Sequence, residues 1–235
     1  HPPSHASPPA PPPAPAPPAP PPGGDEEDES GELEISQVVE KITSQADQQR
    51  LYREAVVLHN DGRYEEAWEI EKQLVKLNAK NARFHNSLGI TLHEMERYEE
   101  AVIEKGKAIE LEPENAKYHN SLGITLHEMK RYEEAAIEKR KAIELEPENA
   151  RCHNSLGITL HEMERYEEAE NESRKAIELE PENASYHDSL GITLHAMKRY
   201  EEAVKEVRKA IDLEPENKEY VNHLDIFLRA MEEKS

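Results

Sequence analysis

The sequence has little cysteine, few aromatic residues and no long hydrophobic run. Cys152 is the only cysteine among 235 residues, which excludes an internal disulfide and any site built from several cysteines. No stretch approaches the roughly 18 apolar residues that a membrane-spanning helix requires. Hydrophobic residues make up 36% of the chain, which is thin for one compact core. A repeated architecture fits better, because each unit then buries only a modest face against its neighbours.

Basic residues are also in the minority. The chain has 29 lysines and arginines against 50 acidic residues, and its formal net charge is -21. A surface of this sign repels phosphate backbones and anionic lipid heads. We therefore expect no nucleic-acid partner and no membrane partner.

Proline is concentrated at one end of the chain. Residues 1–24 hold 13 of the 17 prolines, and proline fixes φ and removes a backbone donor. The expected state of this segment is an extended polyproline II arm. An acidic linker follows at 25–34, and apolar spacing then predicts a short lead helix at 35–47.

The remainder of the chain is repetitive. The string HNSLGITLHEM begins at His85, His119 and His153, and a close variant begins at His187, so the period is 34 residues. This period divides the chain into four units, 82–115, 116–149, 150–183 and 184–217. The same frame predicts a degenerate unit at 48–81 and a capping helix at 218–235.

The pattern resembles the tetratricopeptide repeat (TPR) family, whose period is 34 residues. We number positions from the first residue of each unit, for example Ala82. Leu-Gly then lies at positions 7 and 8, alanine at 20 and 27, and proline at 32. The resemblance implies an all-α, right-handed superhelix of helix-turn-helix units.

The chain departs from the family at four positions, one of which is position 11, usually tyrosine and here leucine. Position 4, usually tryptophan, is histidine in all four units, and position 15, often glycine, is glutamate or lysine. Position 24, usually aromatic, is Lys105, Lys139, Ser173 and Val207 in turn. Glutamate and lysine are otherwise interpreted as residues of solvated helix faces.

The resemblance also implies a concave groove lined by the first helix of each unit. Three rows of residues would face it, at positions 5, 9 and 12: Asn86, Asn120, Asn154 and Asp188; Ile90, Ile124, Ile158 and Ile192; His93, His127, His161 and His195. The lysine and asparagine of the chaperone-tail clamp are absent from positions 5 and 9. The asparagine row resembles the peptide-gripping row of O-GlcNAc transferase arrays, which uses position 6, so an extended peptide is one expected partner. Alternatively, the row only reflects copying of one ancestral unit.

No motif predicts catalysis, a metal site or a cofactor. Histidines within a unit are eight residues apart, about 12 Å along a helix, which is too far to hold one ion. Metal binding across units is the alternative, if the histidines at position 12 stack along the groove, against a role in packing and hydrogen bonding. The string HEMER has Arg97 where a zinc-protease motif requires histidine. Cys152 stands where other units have Phe84, Tyr118 or Tyr186, so it is interpreted as a packing residue.

The similarity between units predicts self-association. Units 82–115 and 150–183 differ at five of 34 positions, so the two ends of the array offer similar stacking faces. Head-to-tail contacts of this kind produce filaments unless terminal helices cap the array. The chain itself is therefore a second expected partner.

The arm resembles hydroxyproline-rich, O-glycosylated segments of plant and algal wall glycoproteins. Asn171 and Asn183 begin N-glycosylation sequons. Candidate hydroxylation or O-glycosylation residues are Ser4, Ser7, Pro8, Pro9, Pro11, Pro12, Pro13, Pro15, Pro17, Pro18, Pro20, Pro21 and Pro22. The chain begins at His1 rather than Met, so either an N-terminal segment such as a secretory signal has been removed or the sequence is a fragment.

Two functional hypotheses follow, and neither is enzymatic. The first is an extracellular glycoprotein whose units join head to tail into a fibril. The alternative is a cytoplasmic adaptor that binds an extended peptide in its groove.

Overall fold

The computed structural model describes residues 44–233, and this part of the chain consists of helices joined by short turns. Its helices are α1 (Gln45–Asn60), α2 (Tyr64–Leu77), α3 (Ala82–Glu94), α4 (Tyr98–Leu111), α5 (Ala116–Glu128), α6 (Tyr132–Leu145), α7 (Ala150–Glu162), α8 (Tyr166–Leu179), α9 (Ala184–Ala196), α10 (Tyr200–Leu213) and α11 (Lys218–Glu232). The predicted all-α helix-turn-helix solenoid is confirmed. The predicted arm and acidic linker lie outside the described residues.

The start of the first unit differs from the prediction. The predicted lead helix, 35–47, lies outside the described residues up to position 43, and residues 45–47 belong to α1. Ser44 caps this helix, because its hydroxyl oxygen accepts a hydrogen bond from the Asp47 amide at 3.1 Å. The first unit therefore begins at Gln45, three residues before the frame of the later units predicts.

The first helix of every later unit begins with an asparagine cap. The side-chain oxygen of Asn81 accepts from the amide of Phe84 at 3.3 Å, and Asn149 accepts from Cys152 at 3.4 Å. Asn115, Asn183 and Asn217 accept from an amide two residues on. These caps satisfy amides that the helix itself leaves without a partner.

The same helices end in a turn that needs left-handed backbone. Position 15 has φ near +60° in the four similar units, at Glu96, Lys130, Glu164 and Lys198, and φ is +76° at Gly62 of the first unit. The Glu96 amide donates to His93 and the Arg97 amide donates to Leu92, both at 2.9 Å. This pair of bonds is the Schellman pattern, which closes the last turn of a helix.

Small residues bring the two helices of a unit together. The alanines at positions 20 and 27 are fully buried, among them Ala101 and Ala108. A Cβ added to Gly89 would lie 3.2 Å from the Ala101 carbonyl oxygen and 2.6 Å from the Lys105 Cγ. The glycine at position 8 is thus required for the close approach of α3 to α4.

The helices form two layers. Each first helix (α1, α3, α5, α7, α9) packs on its own second helix and directly contacts the first helix of the next unit. Within the described residues, the backbones of neighbouring second helices lie farther apart, and these helices meet through long side chains, as where Arg140 lies 3.5 Å from Glu168. The array therefore curves with its first helices on the inner surface, where the predicted groove lies. No helix in the described range is both long and apolar enough to span a bilayer.

Candidate functional site

The inner surface contains a cavity that crosses three units. It has a volume of about 420 Å³, and its lining includes Asn86, Ile90, His93, Asn120 and Ile124. These residues come from α3 and α5, and Arg151 and Cys152 of α7 complete the far side. The structure thus brings members of all three predicted rows together around one space.

The asparagine row has unused hydrogen-bonding capacity. Asn120 is 8% exposed and Asn154 is 9% exposed, and within the described part of the chain the buried Oδ1 atoms of Asn86, Asn120 and Asn154 have no partner. An unpaired buried polar atom is costly, so such atoms are uncommon in folded proteins. Two of these asparagines line the cavity, which makes the row the best-supported binding feature of the groove.

Asp188 is the exception in this row. Its Oδ1 is 2.8 Å from Nδ1 of His223 on the capping helix α11. Burial raises the pKa of Asp188, although His223 opposes this shift. The capping helix therefore occupies position 5 of the last unit, and the open part of the row ends at Asn154.

The histidines at position 12 connect neighbouring units. Nδ1 of His93 is 3.2 Å from Oγ1 of Thr125 in the next unit, and the same contact joins His127 to Thr159 at 3.1 Å. Burial lowers the pKa of both histidines. Neutral imidazoles in these bonds form part of the interface between units, and among the described residues no group of three possible metal ligands occurs.

The histidines at position 4 have a different environment that the sequence analysis did not find. Nδ1 of His187 lies 2.8 Å from Glu206 and Nε2 lies 3.0 Å from the Pro181 carbonyl, so both ring nitrogens face acceptors. The hydrogen bond to Glu206 raises the pKa of His187. The same bonds recur at His85, His119 and His153. The available signal was the glutamate at position 23 of each unit.

The lysines at position 24 do not lie on a solvated face as expected. Lys105 and Lys139 are each 2% exposed. Nζ of Lys105 donates to Oγ1 of Thr125 at 2.6 Å and to the Ser121 carbonyl at 3.1 Å, and Lys139 makes the same two bonds with the following unit. Burial lowers the pKa of Lys105 to about 7 and that of Lys139 to about 8.

Position 24 changes character along the array. In the first unit it is Glu71, whose carboxylate accepts from the Ser87 hydroxyl and whose pKa burial raises to about 7. In the last two units it is Ser173 and Val207, both fully buried. The interfaces between units therefore differ at this one place, with glutamate, lysine twice, serine and valine in turn, behind a nearly constant groove.

The two candidate N-glycosylation residues and the single cysteine lie in the described part of the chain. Asn171 is exposed in the middle of α8, but Ser173 of its sequon is buried. Asn183 caps α9, with its Oδ1 accepting from Ser185. Burial raises the pKa of Cys152 to about 11, as its predicted packing position implies. The residues of the arm lie outside the described range.

Comparison with known proteins agrees with this architecture. Tetratricopeptide repeats match residues 82–115 and 184–217 in one family description and 106–136 and 140–171 in another, together just over half of the chain. Among curated protein sequences, none matches the chain.

Three solved structures illustrate the similarity of fold. The Pseudomonas aeruginosa pilF structure is 20% identical with a TM-score of 0.70, and the match covers 87% of each chain. YrrB, described as a TPR protein with an unusual peptide-binding site, is 21% identical with a TM-score of 0.60, covering 80% of this chain and 96% of YrrB. A MamA fragment from Desulfovibrio magneticus RS-1 is 25% identical with a TM-score of 0.64, covering 72% of this chain and 96% of the fragment.

Three observations indicate the same family. They are the 34-residue period, the small residues between paired helices, and the matches to known repeats. The chain belongs to the tetratricopeptide repeat family, and its array is a scaffold for protein–protein interaction.

Proposed function

We propose that the inner groove binds an extended peptide. The observation that carries this proposal is the row of buried carboxamide oxygens without a partner, at Asn86, Asn120 and Asn154. A carboxamide offers both a donor and an acceptor, so it can pair with the main chain of a peptide whatever its side chains. The peptide-binding site named for YrrB, a protein of the same fold, supports the proposal.

The geometry fits a peptide that runs across the first helices. Packed helix axes are about 8–10 Å apart, and an extended chain advances about 3.3 Å per residue. Successive asparagines would then meet every third peptide residue. Ile90 and Ile124, which line the same cavity, provide apolar contacts between these polar ones.

The test is selection of peptides from a random phage-displayed library on the full chain. Selected peptides are then measured by fluorescence polarisation against the triple variant Asn86→Ala, Asn120→Ala, Asn154→Ala. We expect at least a tenfold loss of affinity. The matched control is Ile103→Ala with Ile137→Ala, which changes two exposed residues on second helices. Equal affinity for the parent chain and the triple variant would reject the groove as the binding site.

End-to-end self-association is a second candidate, favoured by the exposed apolar residues of the end helices. Val57 on α1 is 57% exposed and occupies position 10 of the first unit. In the next unit the residue at position 10 is Thr91, which contacts His59 of the first unit, so position 10 lies on the face that meets a preceding unit. Ile226 on α11 is 52% exposed. Negative-stain electron microscopy across a concentration series tests this candidate. The candidate is supported if the parent chain forms fibrils and the substitutions Val57→Ser and Ile226→Ser abolish them. Isolated particles of the parent chain at every concentration would reject it.

Secretion and glycosylation are the further parts of that second candidate. They rest on the proline-rich arm and on the two sequons, of which Asn171 is exposed. The intact mass of the natively purified protein measures them directly. Peptides 1–24 that carry added oxygen or pentose masses would support an extracellular location, and unmodified peptides would favour the cytoplasmic alternative.

A further inference from the structure

Two lysine amines are buried at the interfaces between units without a counter-ion. Lys105 and Lys139 extend from α4 and α6, in the outer layer, to the first helices of the following units. Each amine donates two hydrogen bonds, whereas an ammonium has three donors. In the described residues neither amine has a carboxylate within 4.0 Å. Lys105 also lines the groove cavity.

Packing does not require lysine at this position. Ser173 and Val207 fill the equivalent place in later units, so the fold accepts a small polar or an apolar residue there. A buried cation without a partner is strongly unfavourable, whereas a buried cation paired with a carboxylate is tolerated. The chain has 50 acidic residues, yet it places none of the described ones against these two amines.

We propose that Lys105 and Lys139 are carboxylate-binding subsites, and that the peptide bound in the groove has acidic side chains three residues apart. This inference rests on the proposed function. The two lysines belong to successive units, so their spacing follows that of the first helices, about 10 Å. Three residues of a polyproline II chain span about this distance, and every third side chain of such a chain points in the same direction. A ligand carboxylate supplies both the missing acceptor and the missing counter-charge.

The neighbouring charges limit the site to the two interfaces between units that contain Lys105 and Lys139. Glu94 on α3 lines the cavity and acts on Lys105 at longer range, and Glu128 on α5 acts in the same way on Lys139. Lys117 on α5 and Arg151 on α7 line the same cavity and favour an anion. His93 on α3 contacts the same threonine as Lys105, and burial favours its neutral form. The preceding interface has Glu71 at position 24 and the next two have Ser173 and Val207, so none of these three offers a cation.

The test uses three synthetic peptides and the full chain in isothermal titration calorimetry. The probe acetyl-SEASEASEAS-amide has glutamate at every third position. Acetyl-SQASQASQAS-amide removes the charges, and acetyl-SASEEESASA-amide keeps the charges but not the spacing. We expect the probe to bind at least tenfold more tightly than either control peptide.

Two variants locate this preference. Lys105→Met with Lys139→Met keeps an unbranched side chain of similar length and removes both amines. Lys107→Met with Lys141→Met removes two nearby exposed charges and serves as the matched control. We expect the first variant to bind the glutamate and glutamine peptides equally, and the second to keep the full preference. Circular dichroism confirms that both variants fold.

Proton uptake gives an independent readout. At pH 8.5, burial leaves a large share of both amines neutral in the free chain, so a bound carboxylate draws protons from the buffer. Titrations in phosphate and in Tris should then give different heats, and the difference should disappear in Lys105→Met with Lys139→Met. Equal binding of all three peptides to the parent chain, or binding of none, overturns the inference. If all three peptides bind the parent chain equally and the asparagine triple variant binds none of them, the lysine subsites are rejected but the proposed peptide groove is not.

Discussion

At the scale of single residues, the turn after each first helix holds an unfavourable backbone. Lys130 and Glu164 have φ of +58°, where an L-residue costs about 1–2 kcal/mol relative to right-handed backbone. Glycine removes this cost but loses about 0.5–1 kcal/mol of conformational entropy on folding. We expect Lys130→Gly and Glu164→Gly each to raise the free energy of unfolding by about 0.5–1 kcal/mol in urea titrations.

Gly62 provides the reverse test of the same turn. Its φ is +76°, and a Cβ built on it has no atom within 4 Å, so steric contact plays no part. Gly62→Ala should lower the free energy of unfolding by about 1 kcal/mol. Unchanged stability in all three variants would mean that the left-handed backbone costs nothing in this turn.

The pair of His187 and Glu206 gives a second prediction at this scale. The first unit has Leu51 and Ile70 at the same positions, and both are buried in its apolar core. His187→Leu alone leaves the Glu206 carboxylate without its partner and should cost about 2–4 kcal/mol. His187→Leu with Glu206→Ile copies the first unit and should be nearly neutral or stabilising, as urea unfolding will measure.

The same pair makes stability depend on pH. Because the pKa of His187 is raised in the folded state, its stabilisation is complete below the unfolded pKa, about 6.5, and is lost as the pH rises through the folded value. The parent chain should therefore compare more favourably with the leucine–isoleucine variant at pH 6 than at pH 8. A difference in unfolding free energy that is the same at both pH values would contradict this assignment.

At the scale of elements, the buried lysines weaken the interfaces between units. Burial lowers the pKa of Lys105 to about 7, so the unfolded chain binds more protons than the folded chain between pH 7 and about 10.5. The stability of the parent chain should rise across this range. Lys105→Met removes the part of this dependence that Lys105 contributes, while Lys139 retains its own. The substitution should stabilise the chain by about 1–3 kcal/mol at pH 7, less at pH 10, in chemical denaturation. Destabilisation at both pH values would show that the two hydrogen bonds of the amine outweigh its desolvation.

The sequence predicted the helices well because their signals are local and repeated. Asparagine caps, alanines at close contacts and prolines after second helices recur every 34 residues, so each instance supports the others. Ser44 and Asp47 occur once, outside this frame, which explains the wrong start of the first unit. The burial of Lys105 could not be predicted in this way, because a lysine in a helix rich in charged residues gives no local sign that it is buried. Its position became informative only when Thr125 of the next unit was placed beside it.

At the scale of the whole molecule, the capping helix should stabilise its neighbours and little else. Phe227 on α11 stacks on His195 at a ring distance of 4.6 Å and packs with Val207 in the last apolar cluster. Phe227→Ala should cost about 3–5 kcal/mol, and in a solenoid that loss is felt most in adjacent units. Hydrogen–deuterium exchange should therefore increase strongly in α9 and α10 and little in α3 and α4. A uniform increase along the array would indicate all-or-none unfolding instead.

The groups that accept hydrogen bonds from a lysine at position 24 are the same in successive units, so units can be exchanged at this interface. Lys105 bonds to a serine carbonyl and a threonine hydroxyl in the next unit, and Ser155 and Thr159 occupy the same places one unit later. Excision of residues 116–149 would thus join Lys105 to a surface that already accepts lysine. Unequal recombination between near-identical coding segments could then remove or add one unit without creating a new interface, and the groove would become shorter or longer by one asparagine.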